Sequence, residues 1–165
     1  MLDNHLDGVM AIERQSFPAP WTKSAFAGHL DHPEFAKYLV ALIDGQVVGY
    51  IGLFFGGGHG QITNFAVDPL YRRIKIGSRL LMAIVAFSLI RGVDALSLEV
   101  RVSNSAARDL YKKFGFVLVG ERKGYYQETG EDAYVMCLFD LKDEERQERF
   151  AVLRRENDGR EDTRD

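Results

Sequence analysis

Two apolar runs, YLVALID and QVVGYIGLFF, meet at Asp44-Gly45, and this junction constrains the fold more than any other stretch. Both turn residues tolerate positive φ, so the pair predicts a tight hairpin. The β-branched and aromatic residues on either side predict two antiparallel strands. GGGHG, Gly56 to Gly60, then predicts a flexible turn into a third strand, QITNFAV, which Asp68-Pro69 ends. A sheet that begins as a meander excludes a helical bundle and demands helices elsewhere to cover it.

Those helices are legible on both sides. Residues from about Leu6 to Phe17 show helical spacing, Pro18 and Pro20 break it, and Thr22 reads as the N-cap of a second helix through Leu30. From Ile76 to Ile90 apolar residues again recur at helical spacing, with Arg91-Gly92 as the stop. DALSLEVRV alternates as a strand, with Leu96, Leu98 and Val100 on one face and Ser97, Glu99 and Arg101 on the other. Ser103 or Asn104 caps the next helix and Gly115 ends it; the strands FVLVGER and AYVMCLFDL then enclose a polar turn, RKGYYQETGED. The order is α-α-β-β-β-α-β-α-β-β, a mixed α/β domain without internal repeats.

The chain has 165 residues, 46% of them hydrophobic, which suits a single core, and a net charge of -3 argues against nonspecific binding to nucleic acid. The single cysteine, Cys137, reads as core and forms no internal disulfide. The N-terminus lacks a secretion pattern and the longest apolar run is too short for a bilayer, so no membrane is expected and the cytoplasm is the expected location. From Leu141 onward seven Arg or Lys and nine Asp or Glu leave few apolar positions. That segment is expected to add at most a short amphipathic helix around Phe150 to Leu153 and to be disordered otherwise.

Against that acidic background YRRIKIGSRLL, Tyr71 to Leu81, stands out. A strand ending at Val67, a basic turn and a helix starting near Ile76 present free backbone N–H groups and a positive dipole end. Arg72, Arg73, Lys75 and Arg79 add charge there, each opposing the macrodipole by about 0.3 to 1 kcal/mol unless an anion compensates. A pyrophosphate fits.

The stretch resembles the arginine-or-glutamine, x, x, glycine, x, glycine-or-alanine loop of the GNAT acetyltransferases, from Arg72 to Gly77. The element order is similar to that family from about Leu6 to Leu141. LEVRVSNSAARDLYKKFGF and RKGYYQETGEDAYVM are similar to its RimI-type members, which acetylate the N-terminal alanine of a small-subunit ribosomal protein. The resemblance implies the acyl-CoA acyltransferase fold, a mostly antiparallel twisted central sheet flanked by helices over residues 1–141, followed by a charged tail over 142–165. It implies acetyl-CoA as cosubstrate, with no metal. Arg72, Arg73, Ile74, Lys75, Ile76, Gly77 and Ser78 would grip the pyrophosphate. Asn104 would be a further contact, and the backbone of Phe65, Ala66 and Val67 would pair with the pantetheine arm. Lys75 departs from the pattern, since the first loop glycine is missing; a lysine held at positive φ costs about 1 kcal/mol or more.

Acetyl transfer to an amine needs a proton acceptor for the nucleophile and a donor for the departing thiolate. The resemblance gives these roles to Glu99 and Tyr111. Arg101 on the same strand face is expected to keep Glu99 ionised, while the Tyr111 ring belongs to an apolar stripe with Ala107, Leu110 and Phe114. Trp21, in the loop between the first two helices, and Tyr125 and Tyr126, in the last turn, would hold the first residues of a peptide. An α-amine is about 10% neutral at pH 7 and a lysine amine below ~0.1%, which favours a protein N-terminus, such as that of a ribosomal protein, as acceptor. Acetylation of a lysine or a small amine is the rival, and a catalytically silent coenzyme-binding domain is a third reading. His29 and His32 have i, i+3 spacing but no further ligand pattern, so no metal site is expected.

Overall fold

The computed structural model describes residues 1–158. Helices α1 (Leu6–Ser16) and α2 (Lys23–Leu30) precede strands β1 (Ala36–Ile43), β2 (Gln46–Gly56) and β3 (His59–Val67). Helix α3 (Ile76–Ile90), strand β4 (Ala95–Arg101), helix α4 (Ser105–Phe114), strands β5 (Val117–Tyr126) and β6 (Glu131–Leu138) and helix α5 (Glu144–Asp158) follow. The six strands form one sheet in the order β1-β2-β3-β4-β6-β5, antiparallel except for β3 and β4.

Local chemistry accounts for the boundaries. Asp44 and Gly45 both have positive φ, 49° and 78°, as a two-residue hairpin with the twist of its strands requires. The Thr22 side chain accepts the Ala25 N–H, and Asn104 accepts the Ala107 N–H at 3.2 Å, so both helices start on a side-chain cap. At the other end of α4, Gly115 takes φ 96°.

Alternation divides the core between the two faces of the sheet. Val9 and Ile12 of α1 and Phe26 of α2 pack against Tyr38 and Tyr50 on one face. On the other, Leu81 and Ile84 of α3 and Phe114 of α4 pack against Ile51, Leu53 and Leu98.

Three expectations are corrected. Strand β5 runs through Tyr126, so Tyr125 and Tyr126 lie on a strand end; a register shift between Arg122 and Tyr126, with Gly124 at φ 59°, keeps pairing alive past the polar stretch. Cys137 is only half-buried, because it shares its register with Ser97 on the less covered face of the sheet. The segment after Leu141 holds a 15-residue helix, longer than its apolar content suggested. Phe150 and Leu153 anchor α5 in the core, and the Arg149 guanidinium donates to the carbonyls of Lys112 and Lys113 at the end of α4. The disorder expected at 159–165 falls outside the described residues.

Candidate active site

The cleft begins where a ladder stops. Strands β3 and β4 are paired only over His59–Gln61 and Ala95–Ser97. Beyond those residues β3 keeps β2 and β4 keeps β6, while the edges facing each other have no ladder between them. A cleft of about 450 Å³ opens there.

Glu99 lines it from β4, its side chain 11% exposed. Gln61 donates to Glu99 Oε2 at 3.1 Å, and the Arg122 guanidinium of β5 lies 3.5 Å from Oε1. The cation expected to hold Glu99 was Arg101, and this is a correction. Residues two apart on one strand point the same way without meeting. Arg101, at the strand end, reaches Glu128 and Glu131 across the last hairpin instead and lies 3.8 Å above the Tyr126 ring.

Tyr111 reaches the same cleft from α4. Its ring stands 6.2 Å from Phe65 and 5.6 Å from Phe116, and burial pushes its phenol well above the ordinary tyrosine value, with Tyr126 adding to the effect. The group stays protonated at any physiological pH. Asn104 also lines the cleft while capping α4, so its two expected positions coincide.

Of the predicted arm-pairing segment, Phe65 faces the cleft. The Ala66 and Val67 side chains sit in the two core clusters, which leaves only their backbone for a ligand. The Val67 carbonyl accepts the Arg72 Nε–H at 3.1 Å.

The basic loop does not line the cleft but abuts it. A Cβ added at Gly77 would lie 3.5 Å from Leu110 and 3.6 Å from Phe65, so the first turn of α3 rests on α4 and β3 beside the opening. Arg73 and Lys75 both have positive φ, 65° and 67°; Lys75 is therefore a strained, left-handed N-cap. Ile76 is buried in the core and Ile74 is half exposed, so Ile76 can serve a ligand only through its N–H. The charge that opposes the α3 dipole is met by the end of α5. Lys75 donates to the Glu156 carbonyl, Arg79 donates to the Asn157 carbonyl at 3.1 Å, and Ser78 Oγ donates to Asn157 Oδ1 at 3.0 Å. A helix C-terminus carries partial negative charge, so it satisfies these groups as an anion would.

The opposite wall is aromatic. Trp21, in the loop after α1, packs 5.6 Å from Phe26 and 5.2 Å from His29, and Tyr125 and Tyr126 stand edge to face at 5.1 Å. All three line the cleft with Glu99 and Tyr111. Burial pushes the Tyr126 phenol up to about 12. His29 and His32 do not form a shared centre: His29 Nδ1 lies 3.0 Å from the Tyr38 hydroxyl, and His32 pairs with Glu34.

Several cleft residues escaped the sequence reading, among them Gln61 and two buried polar side chains, Glu13 and Asn64. Glu13 is 1% exposed; Oε1 accepts the Trp21 N–H at 2.9 Å, and Oε2 accepts from the Tyr50 hydroxyl. Desolvation raises its pKa, against the lowering effect of the Trp21 bond. Its signal was a carboxylate on the apolar stripe of Leu6, Val9 and Met10. Asn64, 6% exposed, occupies an interior strand position and also lines the cleft.

A model described as the acetyltransferase (GNAT) family matches residues 6–116. A Bacillus subtilis (strain 168) protein provisionally named as a ribosomal protein bS18-alanine N-acetyltransferase is 44% identical over 133 residues, 81% of this chain and 88% of its own length. An N-alpha-acetyltransferase of Sulfurisphaera tokodaii is 38% identical over 80% of this chain and 86% of its own length. The crystal structure of the ribosomal-protein-S18-alanine N-acetyltransferase from Escherichia coli superposes with a TM-score of 0.77 at 30% identity, over 85% of this chain and 90% of that one.

Proposed function

This chain belongs to the GNAT acetyltransferase family, and on that premise we propose that it acetylates the N-terminal α-amine of a protein, with a ribosomal protein that starts in alanine as the acceptor class. It is an acetyl-CoA-dependent N-acetyltransferase. The observation that carries the reading is that Glu99 and Tyr111, from different elements, line one cleft at the divergence of β3 and β4.

The cleft suits an amide-bearing arm. Past Gln61 the β4-facing edge of β3 has no strand partner, so its backbone groups are available to a ligand that carries its own N–H and C=O. Acetyl-CoA supplies the thioester carbonyl. Gly77 and Ser78, on the first turn of α3, would meet its pyrophosphate with backbone N–H groups, and Arg73 would add charge, joined by Lys75 on exchanging the Glu156 carbonyl for a phosphate oxygen. Asn104 would hold the arm from the start of α4.

Glu99 accepts the proton that the amine must lose on attack; Gln61 holds its Oε2, and the Arg122 guanidinium stands beside its Oε1. Tyr111 gives its phenolic proton to the sulfur as the C–S bond breaks. Burial keeps the hydroxyl protonated in the resting site, so a proton is in place when the sulfur departs. Trp21, Tyr125 and Tyr126 hold the first peptide residues between the α1–α2 loop and the last hairpin. No helix among the described residues is long and apolar enough to cross a membrane. The proposed location is the cytoplasm, and the proposed catalytic unit is residues 1–141, with α5 clamped onto it.

The test is turnover by thiol release. Peptides that start in alanine with a free terminus should turn over, and the same peptides with the terminus blocked should not. Equal turnover of blocked peptides carrying an internal lysine would assign the chain to side-chain acetylation, and coenzyme binding without turnover would make it a silent domain.

A further inference from the structure

We propose that Asn64 is the docking residue for the acceptor amine, an inference that rests on the N-terminal acetylation reading above. Three observations converge on it. Strand β3 carries one extra residue: Gly52 of β2 pairs with Asn64, but the next residue, Leu53, pairs with Ile62, leaving Thr63 as a bulge. A bulge re-aims the side chains that follow it. Ile62 packs into the core on the α3 side, whereas Asn64, past the bulge, pairs with Gly52, where an added Cβ would meet the Tyr38 ring on the opposite face; Asn64 lines the cleft together with Gln61, the residue that holds Glu99.

The second observation is burial without satisfaction. Asn64 is 6% exposed, and its Oδ1 has no hydrogen-bond partner. A buried carbonyl left unpaired is costly, and an isolated core would replace it with an apolar side chain of similar shape. The third is that a second such atom faces the same cleft: Ser16 Oγ, at the end of α1, is also buried and unpartnered. Buried polar atoms without a protein partner beside a cleft mark where a ligand brings donors.

The acceptor brings them in the right number. A neutral primary amine has two N–H bonds and one lone pair. The lone pair attacks the thioester carbon, one proton leaves to Glu99, and the other stays on nitrogen through to the amide product. Asn64 Oδ1 accepts that retained N–H, which turns the lone pair toward the carbonyl and leaves the departing proton facing Glu99. Ser16 Oγ is placed to meet the next polar group of the peptide.

The experiment compares Asn64→Leu and Asn64→Ala with the unaltered chain, by melting temperature and by separate KM values for an alanine-starting peptide and for acetyl-CoA. The expected result for Asn64→Leu is a melting temperature equal to or above that of the parent. Its peptide KM should rise about tenfold, the worth of one neutral hydrogen bond, with the acetyl-CoA KM within twofold. Asn64→Ala, which adds no bulk, should raise the peptide KM to the same degree, and it decides the matter if the leucine variant does not fold. A purely structural asparagine would leave the peptide KM unchanged in both variants, and a coenzyme contact would raise the acetyl-CoA KM; either outcome overturns the proposal. If the unaltered chain labels only lysines, the underlying reading fails instead, whatever the variants do.

Discussion

Replacing Glu13 by alanine should destabilise the protein and loosen the peptide wall together. Its carboxylate is 1% exposed and holds two groups, the Trp21 N–H and the hydroxyl of Tyr50, which is fully buried. Each buried donor left unpaired costs about 1 to 3 kcal/mol, and the carboxylate's own desolvation, relieved on its removal, offsets part of that. The net loss is about 3 kcal/mol, which for a chain of this size lowers the melting temperature by roughly 6 to 12 °C. Glu13→Gln keeps an oxygen for Trp21 and can reverse its bond with Tyr50, so it should cost about 1 kcal/mol or less at neutral pH. The pH dependence supplies an independent check. A carboxyl group whose pKa is raised on folding holds a proton in the native state that the unfolded chain has released, so stability falls as pH climbs from the ordinary glutamate value through the native one. The glutamine variant lacks that slope, and its deficit against the parent should shrink over the same window. Urea denaturation from pH 4 to pH 8, with peptide KM measured at pH 7, reads all of this. A loss under 1 kcal/mol for Glu13→Ala, or a deficit of Glu13→Gln that grows with pH, would refute the reasoning.

Two further outcomes are expected. Glu99→Gln and Tyr111→Phe should each lower kcat by about 10²- to 10⁴-fold, with coenzyme affinity by calorimetry nearly unchanged; a loss of affinity that matches the loss of turnover would make them binding residues. Lys75→Gly releases a left-handed strain of about 1 to 2 kcal/mol but gives back about 0.5 to 1 in chain entropy, together with the exposed bond to the Glu156 carbonyl. Its stability by urea denaturation should therefore stay within about 1 kcal/mol of the parent, and the variant should still bind acetyl-CoA; binding that appears only in the glycine variant would show that Lys75 blocks the loop.

The sequence disclosed what is local. The span of α3, the Thr22 and Asn104 caps and the Asp44-Gly45 hairpin each follow from residues within one turn of one another. Glu99 and Tyr111 were singled out by resemblance, and the adjacency of their strand and helix in the chain made one end of the sheet a common place for both. What stayed hidden depends on partners distant in sequence. The early end of the β3–β4 ladder is a property of two strands that α3 separates, and the Thr63 bulge appears only against β2. Arg101 shares a face with Glu99, yet its partners lie 27 and 30 residues further on, at Glu128 and Glu131. Helix α5 looked too polar to dock because, beside the buried Phe150 and Leu153, its contacts come from Arg149, Glu156 and Asn157 meeting a backbone carbonyl and the side chains of Lys113 and Ser78, contacts that composition does not register.

The most direct measurement uses one peptide that carries both a free alanine terminus and an internal lysine, incubated with the protein and acetyl-CoA and mapped by fragment masses. The acetyl group should sit on the terminal nitrogen alone, and the label should vanish with Glu99→Gln. Acetyl on the lysine, or terminal label that persists undiminished in that variant, would contradict the account.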